Sequence, residues 1–156
     1  MARNEIEVDA PPERVFAVLA EPRAYARWVV GSRRIRRADP DWPRPGSAFD
    51  HAIGFGPFTL RDASEVAACE PPWRLRLRVM ARPLTTAWVT LQLTPTGGGT
   101  RVAMDERAAD GRSRLLLNRL TDPLVAWRNQ ASLRRLKAPA EGREPLPDGP
   151  PPPRGA

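Results

Sequence analysis

The chain contains one histidine, His51, and the residues that follow it can bring a carboxylate to face it. Two predicted strands, 47–55 and 58–68, are joined at Gly56-Pro57, a dipeptide typical of a tight chain reversal. A tight reversal pairs His51 directly with Asp62, with Cβ atoms about 4.5–5.5 Å apart. A carboxylate there fixes the tautomer of the imidazole and raises its basicity, which prepares the ring to remove a proton from a bound ketone or ester.

The same pair has a second interpretation that involves no reaction. Two buried polar groups that face each other satisfy one another, or they line the wet mouth of a cavity. The register also depends on the turn, because a four-residue turn keeps both strand faces but places Asp62 opposite Phe49. Catalytic and structural roles therefore both stay open for His51 and Asp62.

Glu106 is a second carboxylate that strand alternation points inward. The predicted registers place it beside Val89, three strands beyond the carboxylate that faces His51, and strands lie about 4.8 Å apart. A buried carboxylate without a partner is costly, so we expect one on the last helix, where Arg128 and Asn129 are nearest. Pairing within the fold and contact with a ligand are both compatible with this position.

Other reactive residue types are scarce. One histidine and one cysteine, Cys69, leave too few ligands for a transition metal, so we predict neither a metal nor a cofactor. A lone cysteine fits a reducing cytoplasm. The sequence shows no apolar signal region before the first strand, and no apolar stretch approaches the roughly 20 residues of a membrane helix. We therefore expect a cytoplasmic protein without membrane insertion, either a monomer or a homodimer.

The net charge of +7 raises the question of nucleic-acid binding. Of the 25 basic residues only Lys137 is a lysine, which indicates genomic base composition more than selection for phosphate contacts. The arginines are spread along the chain, and no recognition helix, zinc finger or aromatic RNA-binding motif accompanies them. The sequence therefore predicts no nucleic-acid partner.

Short elements at the start of the chain must position these groups. Ile6 and Val8 alternate as in a strand, and Pro11-Pro12-Glu13 then begins an amphipathic helix, because proline suits the first turn and an acid suits the helix N-terminus. Glu21-Pro22 ends that helix and begins a second short one. The second helix carries Tyr25 and Trp28 toward the same core.

From Arg33 onward the hydrophobic period is two, which is typical of strands. The stretch from Trp73 to Val79 alternates most strictly, with apolar residues on one face and an arginine stripe on the other, where Arg78 is expected to lie opposite Trp88. Together with the first strand, the predicted segments make seven strands. The other six are residues 33–38, 47–55, 58–68, 73–81, 85–94 and 100–108.

The C-terminal third predicts one long helix and a tail. Thr121-Asp122-Pro123 is typical of a cap and first turn, and the helix should run to about Leu136. Residues from Pro139 onward are rich in proline and have little to bury. We therefore predict a single domain over residues 1–138 and a disordered tail over 139–156.

Four segments, taken in order, carry a resemblance to a known superfamily. They run from Ile6 to Phe16, from Glu21 to Trp28, from Glu65 to Leu75 and from Val89 to Val102. This ordered set resembles the helix-grip superfamily of START-like or SRPBCC proteins, including its polyketide cyclase/dehydrase-like members. The similarity extends over about residues 5–137.

The resemblance implies an α+β fold. Its parts are a seven-stranded, curved, mostly antiparallel sheet, two short N-terminal helices, and a long C-terminal helix over an internal cavity. Such cavities hold lipids, polyketides, hormones or similar apolar molecules. The resemblance implies no particular reaction, because the superfamily mixes cyclases, hydrolases, lipid carriers and plain binding proteins.

Strand alternation and the last helix select the side chains that we expect to line this cavity. The leading hypothesis is binding of an apolar or aromatic small molecule there. One alternative is a polyketide cyclase- or dehydratase-like enzyme that uses His51 and Asp62, and another is a protein-interaction module that uses the arginine-rich outer face. The predicted ligand-binding residues are Phe49, His51, Ile53, Phe55, Leu60, Asp62, Ser64, Leu77, Val79, Val89, Met104, Glu106, Trp127 and Arg128.

Overall fold

The computed structural model describes residues 2–116, 118–149 and 151–154, and for Phe55 only the backbone. It contains seven strands and four α-helices, with a 3₁₀ turn at Pro22–Ala24 between the first two helices. In chain order the elements are β1 (Ala2–Val8), α1 (Pro12–Leu19), α2 (Tyr25–Trp28), β2 (Ser32–Ala38), β3 (Ala48–Phe55), β4 (Phe58–Glu70), β5 (Arg74–Ala81), β6 (Thr85–Thr96), β7 (Gly99–Ala108), α3 (Gly111–Leu116) and α4 (Asp122–Ala140).

The strands form one sheet in the order β1-β7-β6-β5-β4-β3-β2, and each neighbouring pair is antiparallel. Strands β2 to β7 follow one another as a meander, and β1 joins the far edge beside β7. The helices α1, α2 and α4 lie over the inner face. This arrangement confirms the predicted α+β helix-grip class and its seven strands.

The first helix forms for the reasons that the sequence indicated. Pro12 occupies the first turn, Glu13 lies beside the positive end of the helix dipole, and Val15 and Leu19 bury the inner stripe. The next turn is capped by Glu21, whose side chain accepts a hydrogen bond from the Arg23 backbone N–H. These short elements deliver the aromatic residues of α2 to the core.

Four aromatic side chains form a cluster between α2 and the β2–β3 end of the sheet. The rings of Tyr25, Trp28, Trp42 and Phe49 lie 4.7–5.9 Å apart between centroids in the contacting pairs. Burial raises the pKa of the Tyr25 hydroxyl, with a smaller contribution from nearby Cys69. On the other side of the core, α4 contributes Leu133 and Leu136, both fully buried.

The last helix differs from its prediction at both ends. Thr121 makes no side-chain cap for α4, and its hydroxyl instead donates to the carbonyl of Leu116, so the predicted capping role is corrected. The helix continues past Leu136 to Ala140, with Pro139 in its final turn. Hence the helix ends two residues beyond the predicted domain boundary at residue 138.

No helix in the described part of the chain is long and apolar enough to cross a membrane.

The proline-rich segment after α4 runs back across the fold. The backbone N–H of Ala38, on the edge strand β2, donates to the carbonyl of Pro152 at 3.0 Å. The guanidinium of Arg154 lies 3.1 Å from the carboxylate of Asp50 and 3.7 Å from that of Asp39. The disorder expected for residues 139–156 stays a prediction, and these contacts are the ones that the segment makes with β2 and its neighbours.

The arginine stripe of β5 lies on the outer face as predicted, but the aromatic contact differs. Arg78 is the register partner of Trp88, whereas the guanidinium of Arg76 lies over the indole, 4.6 Å from its centroid. Side chains lean along the strand direction, so the diagonal neighbour makes the contact in place of the opposite one. Arg78 therefore lies opposite Trp88 as expected, while Arg76 makes the cation-π contact with the indole.

Candidate functional site

An internal cavity of about 350 Å³ lies between the inner face of the sheet and helices α2 and α4. Its central walls are apolar and come from β5 and β6, through Leu77, Val79, Ala87 and Val89. Polar side chains lie toward its two sides. A volume of this size is in the range of pockets that hold small molecules.

Eleven of the predicted ligand-binding residues line this cavity, because the strand registers are the ones that the sequence predicted. The alternation of β3 to β7, together with α4, thus brings together residues that are up to 77 positions apart in the chain. They are His51, Ile53, Leu60, Asp62, Ser64, Leu77, Val79, Val89, Met104, Glu106 and Arg128.

The remaining three predicted residues are placed differently or are not described. Phe49 does not line the cavity, because its ring is fully buried in the aromatic cluster with Tyr25 and Trp42. Trp127 is 63% exposed on α4 and points away from the cavity, so its expected role as a lining residue is corrected. The side chain of Phe55 lies outside the described part of the structure.

His51 and Asp62 face each other across β3 and β4, as the tight Gly56-Pro57 reversal predicted. The Nε2 atom of His51 lies 3.1 Å from Oδ2 of Asp62, and the two side chains are 5% and 0% exposed. Neither atom has a hydrogen-bond partner among the described residues, although the two are 3.1 Å apart. We regard the contact as a close electrostatic pair, because the distance is that of a hydrogen bond and neither atom reaches solvent.

A third polar residue, Ser32, completes this side of the cavity. Its hydroxyl oxygen lies 3.1 Å from Nδ1 of His51. The carboxylate of Asp62 favours the imidazole proton on Nε2, which leaves Nδ1 to accept a hydrogen bond from the Ser32 hydroxyl. All three side chains are buried, and each lines the cavity.

Sequence reasoning missed Ser32 because its strand is irregular. The predicted strand began one residue later, at Arg33, and the pairing of β2 with β3 shifts twice, between Ser32 and Arg34 and between Ile35 and Arg37. Irregularities of this kind re-aim side chains and break the simple alternation. The only signal in the sequence was that a serine directly precedes the predicted strand 33–38, which pairs with the strand that carries His51.

On the other side of the cavity, Glu106 is held by two residues of α4. Its Oε2 accepts hydrogen bonds from Arg128 at 2.6 Å and from the Asn129 amide at 2.8 Å. Glu106 is 7% exposed, whereas the Arg128 side chain is 36% exposed at the rim of the cavity. This confirms the expected pairing partners for Glu106, and it ties β7 to the last helix.

The two polar clusters lie on different strands and are separated by an apolar strip. Asp62 lies on β4 and Glu106 on β7, which is three strand spacings or about 14 Å along a flat sheet. The inner face of β5 and β6 fills this interval with Leu77 and Val89. A molecule that spans the cavity therefore meets a polar wall at each end and an apolar wall between them.

Ser132 of α4 fixes the helix against the start of the sheet. Its hydroxyl accepts from the backbone N–H of Val30 at 2.9 Å and donates to the carbonyl of Arg128 at 2.9 Å. Trp28 also lines the cavity, and its indole N–H is buried without an acceptor among the described residues. Within the same residues, no group of three or more histidine, cysteine and acidic side chains could hold a metal ion.

A larger but open groove, of about 570 Å³, lies on the outer face of β2 to β5. Its lining carries six arginines, and Met80 is the only large apolar side chain among the described lining residues, so the groove does not suit an apolar molecule. His51 and Asp62 line this groove as well as the cavity. The prediction that the outer face docks a partner protein stays a prediction. The arginines are Arg36, Arg37, Arg61, Arg78, Arg82 and Arg154.

Comparison with known proteins agrees with the fold. Residues 2–141 match the family model described as polyketide cyclase / dehydrase and lipid transport, and the chain belongs to that family. No curated protein matches the chain significantly.

Solved structures share the fold at low sequence identity. A protein from Rhodobacter sphaeroides is 24% identical with a TM-score of 0.69, and the match covers 91% of this chain and 92% of that one. A conserved protein from Geobacillus kaustophilus is 16% identical with a TM-score of 0.72, covering 90% and 94%. The di-domain ARO/CYC StfQ from the steffimycin biosynthetic pathway is 17% identical with a TM-score of 0.67, covering 90% of this chain and 50% of that one.

Proposed function

We propose that this protein binds an apolar or aromatic small molecule, of lipid or polyketide type, in its internal cavity. The observation that carries the proposal is the cavity of about 350 Å³ with an apolar centre and two polar sides. Burial of apolar ligand surface stabilises the complex by about 25 cal/mol per Å². The membership of the polyketide cyclase / dehydrase and lipid transport family supports the same class of ligand.

The two polar clusters would orient such a ligand. Arg128 and Asn129 donate to Glu106 and have further N–H groups, so they suit an oxygen atom on the ligand. Ser32 and Ser64 offer hydroxyls at the opposite side. We therefore expect a ligand with an apolar body and an oxygen-bearing group at one or both ends, because few but well-placed polar groups fix the orientation in such pockets.

Native mass spectrometry of the purified protein tests this proposal directly. We expect a species heavier than the apoprotein by the mass of one small molecule, which organic extraction releases and which rebinds at one molecule per chain. Protein stripped by extraction and then offered fatty acids and aromatic polyketides should take up at least one of them. A protein that takes up none of these compounds would contradict the proposal.

A second candidate function is a cyclase- or dehydratase-like reaction, and the pairing of His51 with Asp62 favours it. A buried imidazole beside a carboxylate at a cavity wall is an arrangement that suits proton transfer. Once a ligand is known, His51→Ala and Asp62→Asn should each abolish or strongly reduce its turnover while binding persists. Turnover that is unchanged in both variants would exclude this function.

A further inference from the structure

Ser32, His51 and Asp62 form a continuous chain of polar groups across three neighbouring strands, β2, β3 and β4. Ser32 Oγ lies 3.1 Å from His51 Nδ1, and His51 Nε2 lies 3.1 Å from Asp62 Oδ2. In this order the hydroxyl can act as a nucleophile, the imidazole as the base that activates it, and the carboxylate as the group that orients the imidazole. Enzymes reach this arrangement on unrelated folds, so it is recognised from geometry and not from position in the chain.

The geometry also decides which of the three groups meets a ligand. Both ring nitrogens of His51 are occupied, one by Ser32 and one by Asp62, and Nε2 and Oδ2 are sealed from solvent. Ser32 lines the cavity, and its hydroxyl is not one of these sealed atoms. A bound molecule therefore encounters the serine hydroxyl, and the imidazole acts on the ligand through it.

We propose that Ser32 is a nucleophile toward an ester or thioester that carries an apolar acyl group. This inference rests on the proposed function, because the acyl group must occupy the cavity. The Ser32 hydroxyl oxygen bonds to the carbonyl carbon while its proton passes to His51 Nδ1. The C–O or C–S bond to the leaving group then breaks, and the same proton passes from Nδ1 to that group.

Water completes the cycle and keeps the reaction balanced. A water molecule gives its proton to His51 Nδ1 and bonds to the acyl carbon, after which the bond to Ser32 breaks and the serine takes the proton back. The products are a carboxylic acid and an alcohol or thiol, and no oxidant or reductant is needed. Asp62 acts as a positioning residue, since it stabilises the imidazolium that forms in each half of the cycle.

The other buried serines at the cavity serve as internal comparisons. Ser64 lines the cavity and is as buried as its neighbours, but His51 makes no contact with its hydroxyl. The hydroxyl of Ser132 is engaged by the backbone of Val30 and Arg128. Among the described serines, only Ser32 therefore has the imidazole contact that activation requires. Ser47 is also buried but does not line the cavity, and its hydroxyl donates to the carbonyl of Arg44, so Ser47→Ala is the control.

Labelling of the full-length protein with an alkyl fluorophosphonate tests the inference. The expected result is one covalent adduct per chain, mapped by peptide mass spectrometry to Ser32. Labelling should vanish in Ser32→Ala, slow at least tenfold in His51→Ala and Asp62→Asn, and stay unchanged in Ser47→Ala. Absence of an adduct on Ser32, or labelling of Ser32 at the same rate without His51, would overturn the proposal.

A parallel binding measurement separates this inference from the proposed function. Nile red, an apolar dye that needs no reaction, should bind Ser32→Ala as it binds the unaltered protein, because the hydroxyl adds little apolar surface. Dye binding with no adduct on Ser32 would overturn the nucleophile and leave the binding function standing. If Nile red does not bind the unaltered protein, that result would instead contradict the proposed binding function. Circular dichroism of each variant checks that it is folded.

Discussion

His51 and Asp62 lie opposite each other on β3 and β4 with Nε2 and Oδ2 3.1 Å apart, and neither of these two atoms reaches solvent. Asp62 also accepts a hydrogen bond from the Ala63 backbone N–H at 2.7 Å. Loss of one partner would leave the other buried without compensation, which is costly in a protein interior. The pair should therefore contribute to stability as well as to the site.

Stability measurements can reveal this coupling. We expect Asp62→Ala and His51→Ala each to lower the free energy of unfolding by about 1–3 kcal/mol. In the double variant the partner left unpaired by the first substitution is also removed. The double variant should therefore lower the free energy of unfolding by less than the sum of the two single variants. Urea denaturation of all four proteins gives the coupling energy. Strict additivity would show that the two side chains do not interact.

Arg128 should matter more for stability than its exposure suggests. Arg128→Ala leaves the carboxylate of Glu106 buried with only Asn129 as a partner, whereas Glu106→Gln removes the charge that needs compensation. We expect Arg128→Ala to be the more destabilising, by about 1–2 kcal/mol at neutral pH. Arg135→Ala, an exposed position on the same helix, is the control and should change stability little. Equal effects of all three variants would contradict this interpretation of the cluster.

The only tyrosine of the chain offers a clean test of the core near α2. Burial raises the pKa of Tyr25, and its hydroxyl donates to the carbonyl of Leu19 at 2.9 Å. An exposed tyrosine titrates at about pH 10. We expect no tyrosinate absorbance from the folded protein at pH 11 and its full appearance after denaturation in urea. Titration of Tyr25 near pH 10 in the folded protein would show that the cluster is open to water.

The contact between the tail and β2 predicts a change in association and not in binding. Deletion of residues 145–156 removes Pro152, whose carbonyl accepts from the edge strand, and Arg154, which contacts Asp39 and Asp50. An uncovered edge strand is a template for pairing with another chain. Light scattering should therefore detect more self-association in the shortened protein, while its affinity for Nile red stays the same. A weaker affinity would instead link the tail to the cavity.

Much of the cavity follows from the sequence because a tight turn fixes a register. Once Gly56-Pro57 joins β3 to β4 directly, His51 must face Asp62, and the period of two carries the parity on to Glu106. The partner of Glu106 followed from electrostatics, since a buried carboxylate requires a compensating group and α4 supplies Arg128 and Asn129.

Other features depend on packing that alternation does not encode. Ser32 lies where the register of β2 shifts, so its direction could not be read from a period of two. The exposure of Trp127 depends on how α4 rotates over the sheet, and Phe49 is drawn into the aromatic cluster beside α2. Contacts of the tail depend on an unpaired edge, which becomes apparent only after the strand order is known.

The most direct test of the binding function is to fill the cavity from one of its walls. Val89 of β6 lines the cavity, whereas Gln92 of the same strand is exposed on the outer face. Titration of Nile red into Val89→Trp and Gln92→Trp compares an added indole inside with the same indole outside. We expect Val89→Trp to weaken binding at least tenfold and Gln92→Trp to bind as the unaltered protein does. Equal affinity of both folded variants would show that the ligand does not occupy this cavity.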